Sequence, residues 1–253
     1  MSKFFKTINF ILLPLLLAAS WQFLSANKLV NAYLIPAPTK VLAAAAALLK
    51  SGALYKHLSI SLFRVFAGFG ISVCAALPVA FIFYFSSIQK RFFYAIFEFI
   101  RAVPPLAMIP LLILWFGLGE ASKLAVIVLA TFFPVFLNAE SGLESVEERW
   151  LELAQSLELS FAGKLKHILI PGAMPQIVTG LRLGFGYAWR ALLGAELFAA
   201  ASGIGYLITD AQQMARIDIV FVGIISIGIL GLLFDNILHL ITSRVMRNSE
   251  NKD

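Results

Sequence analysis

The sequence predicts an all-α, polytopic membrane protein with about six transmembrane helices, and three observations predict this class. Of the 253 residues, 60% are hydrophobic and only 13% are charged. The mean hydropathy of +0.88 lies far above the usual range of soluble domains. The apolar residues also occur in long runs, several of them close to the roughly 20 residues that a helix needs to cross a bilayer.

The amino-terminal run is predicted to be the first span. Lys3 and Lys6 precede an apolar segment from Ile8 to Ala26, which fits either a retained anchor or a cleavable signal peptide. Trp21 and Gln22 are typical of the interfacial end of a retained span, and no clear small-x-small cleavage site follows. We therefore predict a retained anchor.

The next segment, Asn27 to Arg64, is too polar to cross a membrane and is predicted to lie outside. Within it, Thr39 to Leu49 is a strong helix former that follows the turn Ile35-Pro36-Ala37-Pro38. We expect a surface helix with Thr39 as its N-cap. The second span, Val65 to Phe85, contains no charged residue.

Four further spans follow from the remaining apolar runs. They are Ala102 to Gly119, Leu124 to Ala139, Ile177 to Ala201 and Ile219 to about Ile241. Pro104, Pro105 and Pro110 should make the third span irregular and turn that segment toward the bundle interior, where neighbours can satisfy the freed carbonyl groups. We find no internal repeat and no linker, so the sequence indicates a single membrane domain.

The distribution of Lys and Arg predicts the orientation. With the amino terminus inside, the inner side holds 11 basic residues and the outer side holds 7, and basic residues favour the cytoplasmic side. The inner set is Lys3, Lys6, Lys90, Arg91, Arg101, Arg149, Lys164, Lys166, Arg244, Arg247 and Lys252. The outer set is Lys28, Lys40, Lys50, Lys56, Arg64, Lys123 and Arg216.

The scattered charges exclude several classes of function. The basic residues behind the net charge of +6 form no basic face, so we predict contact with lipid headgroups and no binding of nucleic acid. Cys74 is the only cysteine, which excludes an internal disulfide, and we expect it to be a small buried hydrophobe. His57, His167 and His239 are dispersed and indicate interfacial positions more than metal ligands.

The sequence also lacks the motifs of nucleotide-binding, metal-binding and catalytic sites. It contains no Gly-rich phosphate loop, no metal-binding HExxH motif and no paired nucleophile and base. We therefore predict no enzyme activity and no cofactor, and any ATP must be bound by a partner subunit.

Charged residues inside predicted spans are expensive and therefore informative. Arg190 and Glu196 lie deep in the fifth span, six residues apart, which separates them by about 120° on a helix and prevents pairing along one face. Each is either an ion pair with another helix or a polar lining of a solute path. Asp235, near the inner end of the sixth span, reaches either water or a basic residue, and Arg182 is an interface anchor.

The most polar long segment, Leu151 to Pro171, lies in the loop between the fourth and fifth spans. Its first half mixes polar and apolar residues as a short helix outside the bilayer would. Its second half is basic, with Lys164, Lys166 and His167, and Pro171 is expected to stop that helix before the chain re-enters the lipid. The segment is either an ordinary loop helix or a docking element.

The residues Glu152, Ala154, Ser156 and Leu157, with Pro171 nineteen residues after the Glu, make this segment resemble the EAA loop of binding-protein-dependent ABC transporter permeases. In that family the loop is the cytoplasmic segment that sits in a cleft of the ATPase subunit. This sequence departs from the pattern at two positions, where Leu153 replaces Ala and Glu158 replaces Gly. Glu in a turn with positive φ costs about 1 kcal/mol, so either the turn is built differently or coupling is weaker.

Other motifs extend the resemblance to the permeases of the nitrate, sulfonate, taurine and bicarbonate group, over roughly residues 35 to 240. They are Ile35-Pro36-Ala37-Pro38, Ser61-Leu62, Arg64-Val65, Gly68-Phe69, Pro104 to Glu120, Ala188-Trp189, Ala195-Glu196, Gly203-Ile204-Gly205 and Asp235. The resemblance implies a type I ABC importer transmembrane fold with a cytoplasmic coupling helix, in the cell inner membrane. It implies a homodimeric pore, cytoplasmic ATPase subunits and a periplasmic or lipid-anchored solute-binding protein.

We predict three parts of the chain: an anchor with a surface helix at residues 1–59, a permease core at residues 60–245 and a cytoplasmic tail at residues 246–253. Ala154, Leu157 and Phe161 should form the apolar side that inserts into the ATPase, with Glu152 capping or pairing at the near end. The solute is expected to be a small anion such as nitrate, a sulfonate or taurine. The alternatives are a permease for a vitamin precursor of the thiamine-pyrimidine type and an ion-driven secondary transporter, which the lack of inverted repeats disfavours.

Overall fold

A computed structural model describes residues 2–250, apart from the side chains of residues 2–11, 14, 87, 199 and 244–250. Several basic residues counted in the orientation prediction lie outside the described side chains, namely Lys3, Lys6, Arg244, Arg247 and Lys252. The same holds for the whole predicted tail at residues 246–253.

The prediction of an all-α protein is confirmed. The described chain contains only helices: α1 (Ser2–Ala26), α2 (Pro38–Lys50), α3 (Ala53–Phe85), α4 (Ser87–Ala102), α5 (Ile109–Phe116), α6 (Glu120–Glu144), α7 (Glu148–Ser156), α8 (Phe161–Lys164), α9 (Ile170–Ala199), α10 (Ile204–Gln213) and α11 (Ile217–Glu250). A 3₁₀ turn at Pro105–Met108 precedes α5, and a π-helical turn at Leu165–Leu169 joins α8 to α9.

Four continuous helices are long and apolar enough to cross a membrane, so the protein is multi-pass. They are Ala53–Phe85, Glu120–Glu144, Phe161–Phe198 and Ile217–Ser243. A fifth candidate is the bent pair Ile88–Ala102 and Pro105–Phe116, and α1 contains a shorter apolar helix, Leu15–Ala26. Each of the six predicted spans thus corresponds to a helix or a bent pair.

The third predicted span is broken, as its prolines indicated. The helix axis bends by 86° between Ala102 and Pro105, because a residue that precedes proline is pushed out of the helical region, and Val103 is extended with a ψ of 122°. The segment predicted to face the bundle interior does so in part: Ile109 and Leu112 are buried in a core with Ala191 and Ala195, whereas Pro104 is exposed. Its carbonyl accepts a local bond from the Ala107 N–H at 2.9 Å and needs no neighbouring helix.

The predicted helix after the proline turn is confirmed as α2, but the N-cap prediction is wrong. Ala37 is the N-cap, Pro38 occupies the first turn, and the Thr39 N–H donates to the Gln22 side chain at 3.3 Å. The next helix, α3, begins at Ala53, within the segment predicted to lie outside, and it includes Arg64. The partners of Arg64 that make this possible are described below.

The chain divides into two compact units. One comprises residues 1–60 and 202–228, and the other comprises residues 61–201 and 229–253. No linker was visible in the sequence because the boundaries at residues 60 and 228 fall inside α3 and α11.

The first unit has a small apolar core of its own. It consists of Val41, Ala44, Leu54, Leu207 and Val222. Nearby, Trp21 packs on Phe221 with ring centroids 5.3 Å apart. The His57 Nδ1 accepts a hydrogen bond from the Gly203 N–H at 3.1 Å, so this histidine has a structural role within the unit.

In the second unit, α6 and α9 approach closely along a row of glycines. A Cβ atom added at Gly180 would lie 2.6 Å from the Asn138 Cβ, and one at Gly184 would lie 2.7 Å from the Val135 Cγ2. Small residues at such positions let membrane helices pack backbone to backbone. The prediction that Cys74 is buried is wrong, because its side chain is exposed on the surface of α3. An apolar run by itself does not distinguish a lipid-facing position from a buried one.

Candidate functional site

The predicted docking segment begins with α7, which ends in a tight turn. The Leu159 N–H donates to the Ala154 carbonyl at 3.0 Å, and the Glu158 N–H donates to the Gln155 carbonyl at 2.9 Å. This pair of bonds is the Schellman motif. Glu158 has a φ of 51°, so this chain builds the turn that a glycine would favour and places a glutamate in the left-handed conformation.

The exposed apolar side of α7 differs from the predicted one. Ala154 is fully buried, so its predicted insertion into a partner is wrong. Leu157 and Phe161 are exposed as expected, with exposed fractions of 63% and 64%. Trp150 and Leu153 continue the same surface at 44% and 45% exposure, and we refer to Trp150, Leu153, Leu157 and Phe161 as the docking stripe. The spacing from Trp150 to Leu153 to Leu157 is the helical one that could have revealed it.

The polar residues of the segment hold its local structure. Glu152 is exposed and uses its carbonyl to accept a bond from the Ser156 hydroxyl at 3.0 Å. The Ser160 hydroxyl accepts from the Gly163 N–H at 3.2 Å and so caps α8. Ser156 and Ser160 therefore fix the turn on both sides.

The prediction that Pro171 stops the second helix is wrong. Pro171 lies in the first turn of α9, and the helical path continues from Phe161 to Phe198. The π-helical turn just before it, in which the Ile170 N–H donates to the Leu165 carbonyl, widens the helix at the point where a proline ring would clash with an α-helical carbonyl. The segment thus leads directly into a span.

A charged cluster ties α3, α6 and α9 together. Arg64 is 1% exposed and forms a bidentate pair with Glu120, with both N···O distances 2.6 Å. Its third nitrogen contacts the fully buried Glu196 at 2.8 Å. The Ser61 hydroxyl also contacts Glu196, at 2.8 and 2.9 Å from its two oxygens. Lys123 lies 3.2 Å from Glu120, so two cations face two carboxylates.

This cluster supplies the partner that Glu196 was predicted to need on another helix. The sequence reasoning missed Arg64, because it assigned this residue to a polar outer segment. The signal available was Ser61 and Arg64, spaced by three residues at the entry to an apolar run, which places both on one helical face.

Arg190 and Asp235, also predicted as intramembrane charges, lie at a cavity between α9 and α11. The cavity has a volume of about 200 Å³. Asp235 contacts Arg182 at 3.0 Å, so the prediction that Asp235 reaches a basic residue is confirmed. Arg190 is exposed, with its guanidinium 5.9 Å from the centre of the Tyr187 ring. The structure separates Arg190 from Glu196, which belongs to the buried cluster.

Comparison with known proteins gives a family. The model of the binding-protein-dependent transport system inner membrane component matches residues 68–247. The chain belongs to this family. It is therefore a multi-pass inner membrane transport protein. The segment from Leu151 to Pro171 and the cavity of this permease both lie within the matched residues.

Relatives of the permease match most of its length. An aliphatic sulfonates transport permease protein, SsuC of Bacillus subtilis, is 35% identical over 94% of this chain and 86% of its own. The taurine transport system permease protein TauC of Escherichia coli is 36% identical over 85% and 80%. The nitrate import permease protein NrtB of Synechocystis is 30% identical over 89% and 84%.

A solved structure has the same fold. It is a chain from a crystal structure of an amino acid ABC transporter with histidines, and it matches with a TM-score of 0.64 at 20% identity. The alignment covers 78% of the permease and 97% of that chain. The resemblance-based prediction of an ABC permease fold is therefore confirmed.

Proposed function

We propose that this permease forms the translocation pore of an ATP-driven importer as a homodimer, and that the docking segment couples it to cytoplasmic ATPase subunits. The external partner is a periplasmic or lipid-anchored solute-binding protein. The relatives are named for aliphatic sulfonates, taurine and nitrate, which all carry an anionic group, so the solute we propose is a small anion of this kind.

The observation that carries the coupling proposal is the docking stripe. Four large apolar side chains are exposed in the most polar loop of the chain: Trp150 and Leu153 on α7, Leu157 at its C-cap and Phe161 at the start of α8. Exposed apolar patches with polar rims mark partner sites. The rim here includes the Arg149 guanidinium, which lies 5.3 Å from the centre of the Trp150 ring, and Glu147, 2.6 Å from Arg149. A tryptophan anchor with flanking arginine is the composition of an interface hot spot.

The mechanics follow from the continuous helix. Because the helical path continues from Phe161 through the π-helical segment into α9 without a break, a movement of Phe161, the last residue of the docking stripe, acts on the helix that carries Arg190 and Glu196. The permease lacks a phosphate loop, so a bound ATPase must supply the driving force for such a movement.

Leu157→Asp tests this proposal, because it places a charge at the centre of the stripe. Leu157 is 63% exposed, so the fold should tolerate the aspartate, while an unpaired charge in the contact should weaken docking by about 2–4 kcal/mol. We expect the variant to insert into the membrane and to lose the ATPase subunit on purification, together with import. Leu157→Met is the matched control, since it keeps an apolar side chain of similar volume. Full retention of the ATPase by Leu157→Asp, with normal import, would remove the coupling proposal.

A further inference from the structure

The cavity between α9 and α11 carries an uncompensated positive charge. Arg182 is neutralised by Asp235, at 3.0 Å, and lies 3.3 Å from the His239 Nδ1. Arg190 also lines the cavity, and among the described side chains no carboxylate forms a salt bridge with it. Two arginines and one aspartate leave a net charge of +1, which matches a monoanion.

The position of Arg190 within a membrane-spanning helix limits what its charged side chain can face. Arg190 lies inside the apolar helix Phe161–Phe198, eight residues before its end. An exposed guanidinium within a membrane-spanning helix cannot face lipid without a large cost. It therefore faces a water-filled path or another protein surface, and an anion that passes along such a path meets it.

The wall of the cavity is aromatic beside this charge. The Phe234 ring lies 5.3 Å from the Phe185 ring and 5.9 Å from the Trp189 ring, centre to centre. The Trp189 Nε1 lies near the opposite helix, because a Cβ added at Gly231 would be 3.1 Å from it. The site thus combines a fixed cation, an indole in contact with the facing helix and an apolar surface.

The volume of the cavity limits the size of a ligand that can bind in it. A cavity of about 200 Å³ is smaller than the roughly 300–1,000 Å³ of drug-sized ligand sites. A Cβ added at Gly186 meets nothing within 4 Å, so the glycine keeps this part of the cavity open. The site therefore suits an ion of a few heavy atoms.

We infer that this cavity is an intramembrane binding site for a small oxyanion with a short apolar tail, of the alkyl sulfonate class. Arg190 binds the oxyanion head by charge-assisted hydrogen bonds, the aromatic wall takes the tail, and Asp235 holds Arg182 in place. This inference rests on the proposed function, since it assumes that the permease moves small anions.

The experiment uses the intact importer, with its ATPase and receptor, in proteoliposomes, with radiolabelled ethanesulfonate and nitrate as separate probes. Arg190→Gln keeps a polar side chain and removes the charge. Arg190→Lys keeps the charge but lacks the planar guanidinium that can donate two parallel hydrogen bonds. Gly186→Leu fills the cavity from the open side. Arg216→Gln, an exposed arginine paired with Asp218 at 3.0 Å, is the matched control.

We expect ethanesulfonate uptake to fall at least about tenfold in Arg190→Gln and in Gly186→Leu, as loss of a charge-assisted bond predicts. Arg190→Lys should recover part of it, and Arg216→Gln should match the wild type. Calorimetric titration of ethanesulfonate into the complex without its receptor should show the same order, which a merely structural defect would not produce. Each variant should retain its ATPase subunit on purification.

Different results would overturn the anion site and the proposed importer function. Wild-type uptake and titration in both Arg190→Gln and Gly186→Leu would overturn the site while leaving the importer proposal intact. Nitrate binding as tight as ethanesulfonate binding would overturn the role of the aromatic wall. A wild-type complex that imports neither anion but imports a neutral pyrimidine precursor would overturn the proposed solute itself.

Discussion

The buried charge cluster predicts an unequal response to the loss of its members. Arg64 contacts both Glu120 and Glu196, but the two carboxylates differ in exposure, since the Glu120 side chain is 56% exposed and that of Glu196 is 0% exposed. Removal of Arg64 takes its guanidinium away from the buried carboxylate of Glu196, which water does not reach. Removal of Glu196 leaves Arg64 with its bidentate partner.

The magnitudes follow from burial. Breaking a buried pair by removing one partner costs about 3–5 kcal/mol, which we expect for Arg64→Met. Glu196→Gln keeps the shape and the hydrogen-bonding atoms and should cost about 1–3 kcal/mol, the value of a lost charge-assisted bond. Glu120→Gln removes a carboxylate that water screens and should cost about 0–1 kcal/mol.

Graded SDS unfolding of the purified permease measures this order. The double variant Arg64→Met with Glu196→Met should be more stable than Arg64→Met alone, because it removes both buried charges. Arg101→Gln is the control, since it breaks an exposed pair with Glu98 at 2.6 Å and should change little. The reasoning is refuted if Glu196→Gln destabilises more than Arg64→Met, or if Arg64→Met behaves like the control.

Three other predictions rest on local geometry. Glu158→Gly should stabilise the purified permease by about 1 kcal/mol, because the residue has a φ of 51°; a lower melting temperature would contradict the Schellman assignment. Gly180→Val should lower the melting temperature by several degrees, because its Cβ would lie 2.6 Å from a neighbouring Cβ, whereas Gly70→Val, with nothing within 4 Å, should not; equal shifts would contradict the helix packing. In a cysteine-free background, cysteine at Lys50 should react with an impermeant thiol reagent in intact cells and cysteine at Lys166 should not, and the reverse pattern would overturn the orientation.

The membrane architecture could be predicted from the sequence because it depends on local composition. Long apolar runs must form helices in lipid, where every backbone group needs an internal partner. The runs predicted as spans all fall in helices, of which four are long and apolar enough to cross a membrane without a bend. The break at Val103 and Pro104 was also visible, since proline restricts the residue before it regardless of context.

The ends of the spans were less predictable because charged residues were taken as boundaries. Arg64 was placed outside the second span, yet α3 begins at Ala53 and encloses it. A charge marks a boundary only when no other helix neutralises it, and sequence order does not show which helices meet. The same limitation hid the partner of Glu196, which lies 132 residues away.

In the candidate site, too, some features could be predicted from the sequence and others required the tertiary structure. The sequence alone showed that Leu151 to Pro171 is a polar segment and that Arg190, Glu196 and Asp235 are charges within apolar runs, because composition and periodicity are local properties. Only the tertiary structure decided that Ala154 is buried while Trp150 is exposed, that Glu196 belongs to an ion cluster, and that Arg190 lines a cavity with Asp235. Burial and pairing depend on which helices pack together, and the distances that decide them join residues far apart in the chain.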